Sequence, residues 1–426
     1  MSPQTVRRID VWLGKPICFA LTLLRKLASP LARLRKPPGP AKKILLIKMI
    51  EQGATVLAHR AIVRAIEKVG PQNVYFWVFE DNRFILDLLE LVPPENVLAI
   101  RTKKAQTLFL DLLRGAWRAR RLGIDATVDM EFFSRASAIL AFLTGARRRV
   151  GLHRFTSEGP YRGDLLTHRV QYNPYIHTAA AYYLLVDAID ADPREVPLMK
   201  TPVPRIDFSA PRFEPPTEEV ERVQGILDRV AGKHVERPIV LLNPNASDLL
   251  PLRRWPTERF IELGQRIIAN YPHVILAITG APDEEAAANQ IAAQIGPHVL
   301  TMAGQTTLRE LIVLYTMADV LVTNDSGPGH FSSMTHITSI VLFGPETPAV
   351  FGPLGPNTRI VRSDLACSPC VNAFNHRFSP CNNNVCMQMI EVEEVYRLVR
   401  DRLEARPKLE LNILPAVRSG IAAGST

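Results

Sequence analysis

One short stretch of the chain combines a carboxylate, a hydroxyl, two glycines and an imidazole: Asn324-Asp325-Ser326-Gly327-Pro328-Gly329-His330. It follows the apolar run Val320 to Thr323, which predicts a strand ending in a turn whose backbone amides open a helix. A second apolar run, Ile340-Val341-Leu342-Phe343, ends in another such turn, Gly344-Pro345. Two strand ends side by side make a crevice at the carboxyl edge of a parallel sheet. Open α/β sheets bind ligands there, and helix amino termini hold anions such as a pyrophosphate. Asp-Ser-Gly also forms ordinary turns, so the segment reads either as a phosphate cradle or as a structural bend.

In the first reading the amides of Ser326 and Gly327 and the Ser326 hydroxyl are the anion donors. Asp325 fixes the turn or orients His330, and His330 either faces the site or is a buried, satisfied histidine. A further apolar run, Ile275 to Thr279, leads into Gly280-Ala281-Pro282-Asp283-Glu284-Glu285. This puts Thr279 at the crevice and gives Glu284 as a carboxylate for ribose hydroxyls, or as a solvated first-turn residue. No pair of carboxylates with a single residue between them follows an appropriate strand, as a metal–diphosphate clamp would require. The expectation is a donor site without a metal, its phosphate charge met by arginine, amides and a helix dipole.

These groups need a scaffold, and the chain supplies two. From Lys42 onward, short apolar runs (44–48, 74–79, 97–100, 126–130) alternate with helical patterns near 55–69, 82–91 and 104–121. A second series of runs begins at Pro238 and continues through 274–279, 320–323 and 339–343. Such alternation indicates crossover units and parallel sheets, hence an α/β chain with two doubly wound, Rossmann-like units. The divisions expected are a basic leader and spacer (1–41), a first domain (42–205), a Pro-rich linker with a charged helix (206–236), a second domain (237–405) and a loose tail (406–426). A chain of 426 residues with 47% hydrophobic and 22% charged residues is of ordinary globular composition and long enough for two cores.

Around its chemical segment the chain resembles glycosyltransferase family 9, the heptosyltransferase-like enzymes of lipopolysaccharide core assembly. The resemblance rests on Thr323 to His330, Phe343-Gly344-Pro345 and Cys367-Ser368-Pro369-Cys370. Upstream it includes Asn243-Pro244-Asn245-Ala246-Ser247 and Arg253-Arg254-Trp255-Pro256, and more faintly Ile44 to Lys48 with Gly53. It implies the GT-B arrangement, in which two Rossmann-like domains face each other across a cleft, acceptor on the first and donor on the second. The helix of residues 391–405 would then pack near the domain junction. It further implies an inverting transferase that moves a sugar, heptose on ADP being the family's donor, to a lipopolysaccharide-core or lipid-linked saccharide. Ser247 joins the donor candidates, and Arg253 falls where the family's phosphate-contacting lysine stands; its other reading is a surface arginine before a helix start. The family's Gly-Asp pair after the first strand is Gly53-Ala54 here. Alanine cannot accept a proton, which leaves Glu51, three residues earlier, as the expected base.

Transfer is not the only function compatible with this architecture. A nucleotide-sugar epimerase shares it, and a non-catalytic nucleotide-sugar binder would account for Ala54.

Charge narrows the partners. The net charge of +9 is carried wholly by the first 43 residues, where ten basic residues face only Asp10. The remainder is near neutral, which argues against a nucleic-acid-binding face. The leader interleaves its charges with Trp12, Phe19, Leu23, Leu24 and Leu27. Its longest uncharged stretch, Pro16 to Leu24, is about half of the roughly 20 residues needed to span a bilayer. It reads as a helix lying on an anionic membrane surface, or docked on its own domain. Together with the family resemblance, this gives a cytoplasmic protein peripheral to the inner membrane. Arg147, Arg149 and Arg154 belong to a cluster at the end of the first domain, either an acceptor site for acidic groups or a solvated basic loop. Cys367, Cys370, Cys381 and Cys386 are spaced permissively for zinc, with a reduced structural cluster or a redox-labile pair as the alternatives.

Overall fold

The apolar runs become strands buried on both faces, as parallel sheets require. In the computed structural model the first sheet contains β1 (Ile44–Ile47), β2 (Val74–Phe79), β3 (Val97–Ile100), β4 (Ala126–Asp129), β5 (Arg148–His153) and β6 (His168–Gln171). Its order is β3-β2-β1-β4-β5-β6, and every pairing is parallel. The second contains β7 (Ile239–Asn243), β8 (Ile275–Ile278), β9 (Leu300–Thr301), β10 (Val320–Asn324), β11 (Thr338–Phe343) and β12 (Thr358–Arg362). Its order is β12-β11-β10-β7-β8-β9, again all parallel. The structure describes residues 10–33, 39–102, 105–155, 160–246, 250–375 and 377–405. The leader's Arg7 and Arg8, the spacer's Pro37 and Pro38, Ser247 and the tail from 406 lie outside the described residues.

In each sheet the strand order reverses between two central neighbours, β1 and β4 in the first and β7 and β10 in the second. At these points the connecting loops diverge to opposite faces and leave a crevice at the carboxyl edge. Among the described helices, seven position the groups discussed below: α1 (Lys15–Arg33), α2 (Gln52–Leu57), α3 (Ala105–Leu122), α4 (Arg135–Leu143), α5 (Thr217–Ala231), α6 (Gly327–Ser332) and α7 (Val392–Glu404). The short helices α2 and α6 start at the two crevices, one from each sheet, and pack against each other.

That contact has an apolar basis. Val56 of α2 and Ile85 share a buried cluster with Phe331 of α6 and Met334. In the reverse direction Ala373 and Phe374 join the first sheet's core, where Phe374 stacks on Phe133 with ring centroids 5.6 Å apart. Each fully buried Val, Ile, Phe or Met side chain is worth about 1.5–3 kcal/mol, so the two halves are held face to face by packing as well as by charge.

Two helices pack on the second half. The charged helix of the linker, α5, buries Val223, Ile226 and Leu227 in the second half's core. Helix α7 does not sit at the junction. Its Val392, Val395, Tyr396 and Val399 pack into the cluster of Trp255 and Phe260, because that stripe recurs at helical spacing and is the only apolar side the helix has.

Candidate active site

Asn324 ties together three motifs that are far apart in sequence. At the end of β10, its Oδ1 accepts from the Trp255 amide at 2.9 Å, and its Nδ2 donates to the carbonyls of Pro244 at 2.9 Å and Asn245 at 3.3 Å. Trp255 is anchored in turn through its Nε1, which donates to the Ile390 carbonyl at 3.0 Å. The loop after β7, the segment before Trp255 and the Ser326 bend therefore meet at the β7–β10 reversal. Ser326 itself is extended, and its hydroxyl donates to the Asn324 carbonyl at 3.2 Å.

The two adjacent arginines have different roles. Arg254 donates from Nε and Nη2 to the Ala246 carbonyl, at 3.1 and 2.7 Å, and so holds the β7 loop. Arg253 points to the bend: its Nη1 lies 3.9 Å from Asp325 Oδ2 and 3.5 Å from Glu346 Oε2. Its Nε is buried without a hydrogen-bond partner, as are Asp325 Oδ2 and His330 Nδ1. Buried polar atoms are nearly always paired, so three orphans around one bend mark a place built for a ligand.

Glu346, in the turn after β11, is buried beside Asp325. Burial pushes both carboxyls above their usual range, Glu346 well above, the neighbouring carboxylate adding to the effect on Glu346 and Arg253 opposing it on both. Two guanidiniums, Arg253 and Arg377, face this pair of carboxyls. Arg377 grips Glu346 through Nε and Nη2, each at 2.7 Å. A cavity of about 370 Å³ opens beside Glu346, lined by Gly344, Thr347, Ser363 and Ser368 among others.

Across the cleft, the loop after β1 carries Lys48 and Glu51. Lys48 is fully buried and donates to the Ile50 carbonyl at 2.6 Å and to Glu131 at 3.2 Å. Burial lowers its pKa while Glu131 holds it up. Glu131 also accepts from the Met49 and Ile50 amides, at 2.7 and 3.2 Å, and so fixes the loop. Glu51 follows with φ of 70°, a conformation that L side chains rarely adopt. Such strain persists only where the surroundings impose it. The Glu51 carboxylate is partly exposed, 3.7 Å from Lys48 Nζ, and pairs with Arg377 from the other half. Gly53 sits against the His330 ring: a Cβ there would lie 2.5 Å from His330 Cδ2.

The model of glycosyltransferase family 9 (heptosyltransferase) matches residues 121–377, which include Arg253, Asn324 to His330, Glu346 and Arg377 but not Lys48, Glu51 or Gly53. The chain belongs to glycosyltransferase family 9. It is similar to the lipooligosaccharide heptosyltransferase 2 of Campylobacter jejuni, 28% identical over 168 residues that make up 38% of this chain and 51% of that one. The chain thus spans about half the length of the curated relatives it matches. In fold it resembles the Escherichia coli ADP-heptose lps heptosyltransferase II, with a TM-score of 0.62 at 19% identity, covering 85% of this chain and 98% of the other. The E. coli heptosyltransferase WaaC with ADP superposes with a TM-score of 0.59 at 16% identity, covering 84% and 99%. The architecture is GT-B, two Rossmann-like domains.

Other expected site residues of this family 9 chain are distributed as follows. Glu284 closes the short 3-10 turn Pro282–Glu284 in the loop after β8, where its Oε2 accepts from the Ala281 amide at 2.7 Å and its carboxylate meets Asn245; burial raises its pKa. Thr279 is fully buried, its hydroxyl accepting from Asn243 at 3.1 Å, and so serves the strand junction. Asp325 lies beside Glu346, with no bond to His330 found among the described residues. Arg147 and Arg149 are at the amino end of β5, opposite the carboxyl edge where the crevice forms. Arg149 is buried and donates to the Leu165 and Ala146 carbonyls, both at 2.6 Å, so it is committed to the backbone and is not an acceptor ligand. Arg154 follows the carboxyl end of β5, on the crevice side. The four cysteines are free thiols, two of them exposed, and among the described residues no group of three or more His, Cys, Asp or Glu side chains is arranged to hold a metal ion.

Sequence reasoning missed Arg377, Glu346, Lys48 and Glu131. Glu346 had a signal, a carboxylate in the second Gly-Pro turn. Arg377 had none, since it reaches the site from an irregular segment 31 residues beyond Glu346.

Proposed function

We propose that this chain is an inverting glycosyltransferase that transfers heptose from ADP-heptose to a lipopolysaccharide-core or lipid-linked saccharide. The observation that carries the reading is Arg253 turned onto the Ser326 bend with an unpartnered Nε, in a chain of family 9. The relatives named above are heptosyltransferases, and one of the similar folds was solved with ADP.

The diphosphate lies against Arg253 and the amides at the start of α6, with the nucleoside toward Glu284 and Asn245. The acceptor hydroxyl oxygen attacks the anomeric carbon as the bond from that carbon to the diphosphate oxygen breaks, and configuration inverts. Glu51 takes the hydroxyl proton, and Arg253 meets the charge that grows on the leaving diphosphate. Arginine offers a planar fork where the family's lysine offers a point charge. No step calls for a metal ion. The exposed apolar side of α1, with Phe19, Leu23 and Leu27, supports peripheral attachment to the inner membrane from the cytoplasm. Among the described residues no helix is long and apolar enough to cross a membrane.

A thermal-shift screen of ADP-, UDP-, GDP- and dTDP-sugars tests the donor, because a ligand that binds only the native state raises the melting temperature. Stabilisation by ADP-heptose, and release of ADP only when a saccharide acceptor is added, is the expected result. Release of ADP without acceptor, or interconversion of the sugar, would favour the epimerase.

A further inference from the structure

The layer of helices on the outer side of the first sheet is apolar where it faces solvent. The β3-to-β4 and β4-to-β5 crossovers run in the same direction, so α3 and α4 lie on one face of the sheet. They cover Leu45, Ile47, Trp77 and Leu98 with Ala116, Ala119, Leu140 and Ala141. Helix α1 completes the layer on the far side of α4: Cys18 is buried against Ala138 and Leu165, Thr22 accepts from the Asp164 amide at 2.9 Å, and Arg25 pairs with Asp164. The docked side of α1 is therefore accounted for, and its opposite side is not.

On that opposite side Phe19, Leu23 and Leu27 are half to two-thirds exposed, at the spacing i, i+4, i+8. Helix α3 repeats the arrangement at the other margin of the layer, where Phe109, Leu113 and Trp117 are 62%, 43% and 59% exposed at the same spacing. Between them α4 leaves Ile139, Phe142 and Leu143 only partly covered. An amphipathic helix whose second apolar stripe faces water costs free energy unless something covers it. Charge indicates the occupant. Helix α1 has four basic and no acidic residues, and α3 has Arg114, Arg118, Arg120 and Arg121 against Asp111 alone.

We propose that α1, α4 and α3 together form the face that lies on an anionic phospholipid bilayer, with α3 as a second anchor beside the basic leader. This rests on the peripheral attachment proposed above and adds to it a contact within the folded domain. Apolar side chains with flanking cations are the composition of interfacial helices, and aromatic rings such as Trp117 favour the headgroup boundary. Attachment through two helices fixes the orientation of the half that supplies Glu51, which a single tethered leader would not.

The test is flotation of the full-length protein with vesicles of phosphatidylcholine alone or mixed with phosphatidylglycerol. Binding to the mixed vesicles only is expected, with the F109S/W117S variant weakened about tenfold or more while its melting temperature and ADP binding stay unchanged. R114E, at a side chain 68% exposed that pairs with Asp111 at 3.5 Å, should weaken binding with the melting temperature again measured alongside. If both α3 variants float as the wild type does while F19S/L27S does not, α3 makes no membrane contact, and attachment through α1 stands alone. If F109S/W117S instead turns a dimer into a monomer with vesicle binding intact, the face belongs to a second copy of the chain and the proposal falls.

Discussion

Arg377 and Glu346 are joined by two parallel hydrogen bonds of 2.7 Å, and the third guanidinium nitrogen of Arg377 pairs with Glu51 from the opposite half. One side chain thereby links the donor-side carboxylates to the proposed base. Because Glu51 sits on a backbone of positive φ and between two cations, its carboxylate is aimed by its surroundings rather than by its own rotamer preference.

Replacing that carboxylate should separate chemistry from binding. In E51Q the shape is kept and the proton acceptor is lost, so kcat should fall by about 10²–10⁴-fold, the usual contribution of a general base. ADP affinity by calorimetry should be unchanged. Undiminished turnover in E51Q would remove Glu51 from the mechanism.

Arg253 makes the opposite prediction. R253A should weaken ADP binding by about 1.5–3 kcal/mol, the worth of a charge-assisted hydrogen bond, or roughly ten- to a hundredfold in Kd. R253K should recover part of that loss, since it restores the charge but not the fork. Equal ADP affinity for wild type and R253A would place the diphosphate elsewhere.

The contact of Gly53 with His330 leaves no room for a methyl group, the nearest ring atom being 2.5 Å from the Cβ position. In G53A either the ring or α2 must shift, and overpacking of this kind costs about 1–3 kcal/mol. A lower melting temperature and a lower kcat are expected together, because the same displacement moves the Glu51 loop relative to the donor side. G53A with wild-type melting and turnover would show that the two halves do not need this approach for catalysis.

His330 should also leave a trace in the dependence of stability on pH. Burial, with His177 and Arg253 adding to it, lowers its pKa to about 3, against about 6.5 in an unfolded chain. Between these values the unfolded state binds the proton and the native state does not, so stability falls as pH drops below about 6.5 and keeps falling until about 3. Relative to wild type, H330Q should lack one proton's share of that slope, about 1.4 kcal/mol per pH unit within the window, and the two should run parallel above it. Denaturant titrations at a series of pH values would measure the difference, and parallel curves throughout would refute it.

Much of this molecule is determined locally and can be read from the sequence. Apolar runs such as Ile44–Ile47 and Val320–Asn324 are too short and too uniformly hydrophobic to be anything but strands buried on both faces. Alternation with helices forces parallel pairing, and parallel pairing puts loops such as Asp325–Ser326 and Glu51–Gly53 at a carboxyl edge. Asp325 and Ser326 could be named for that reason, and Arg253 and Glu51 through the resemblance to family 9. Without that resemblance, residue types alone could not say which of Arg253 and Arg254 faces the crevice, because neighbouring side chains diverge and only the position of the Ala246 carbonyl decides which one it captures. Nor could it reveal that Arg149 is committed to backbone carbonyls, or that Arg377 closes the network between Glu346 and Glu51. Those facts depend on contacts between separate segments, some near in sequence, such as Arg149 and Leu165, and some far apart, such as Arg377 and Glu51. Such contacts are fixed by how two cores pack against each other, and local patterns of polarity contain no record of that.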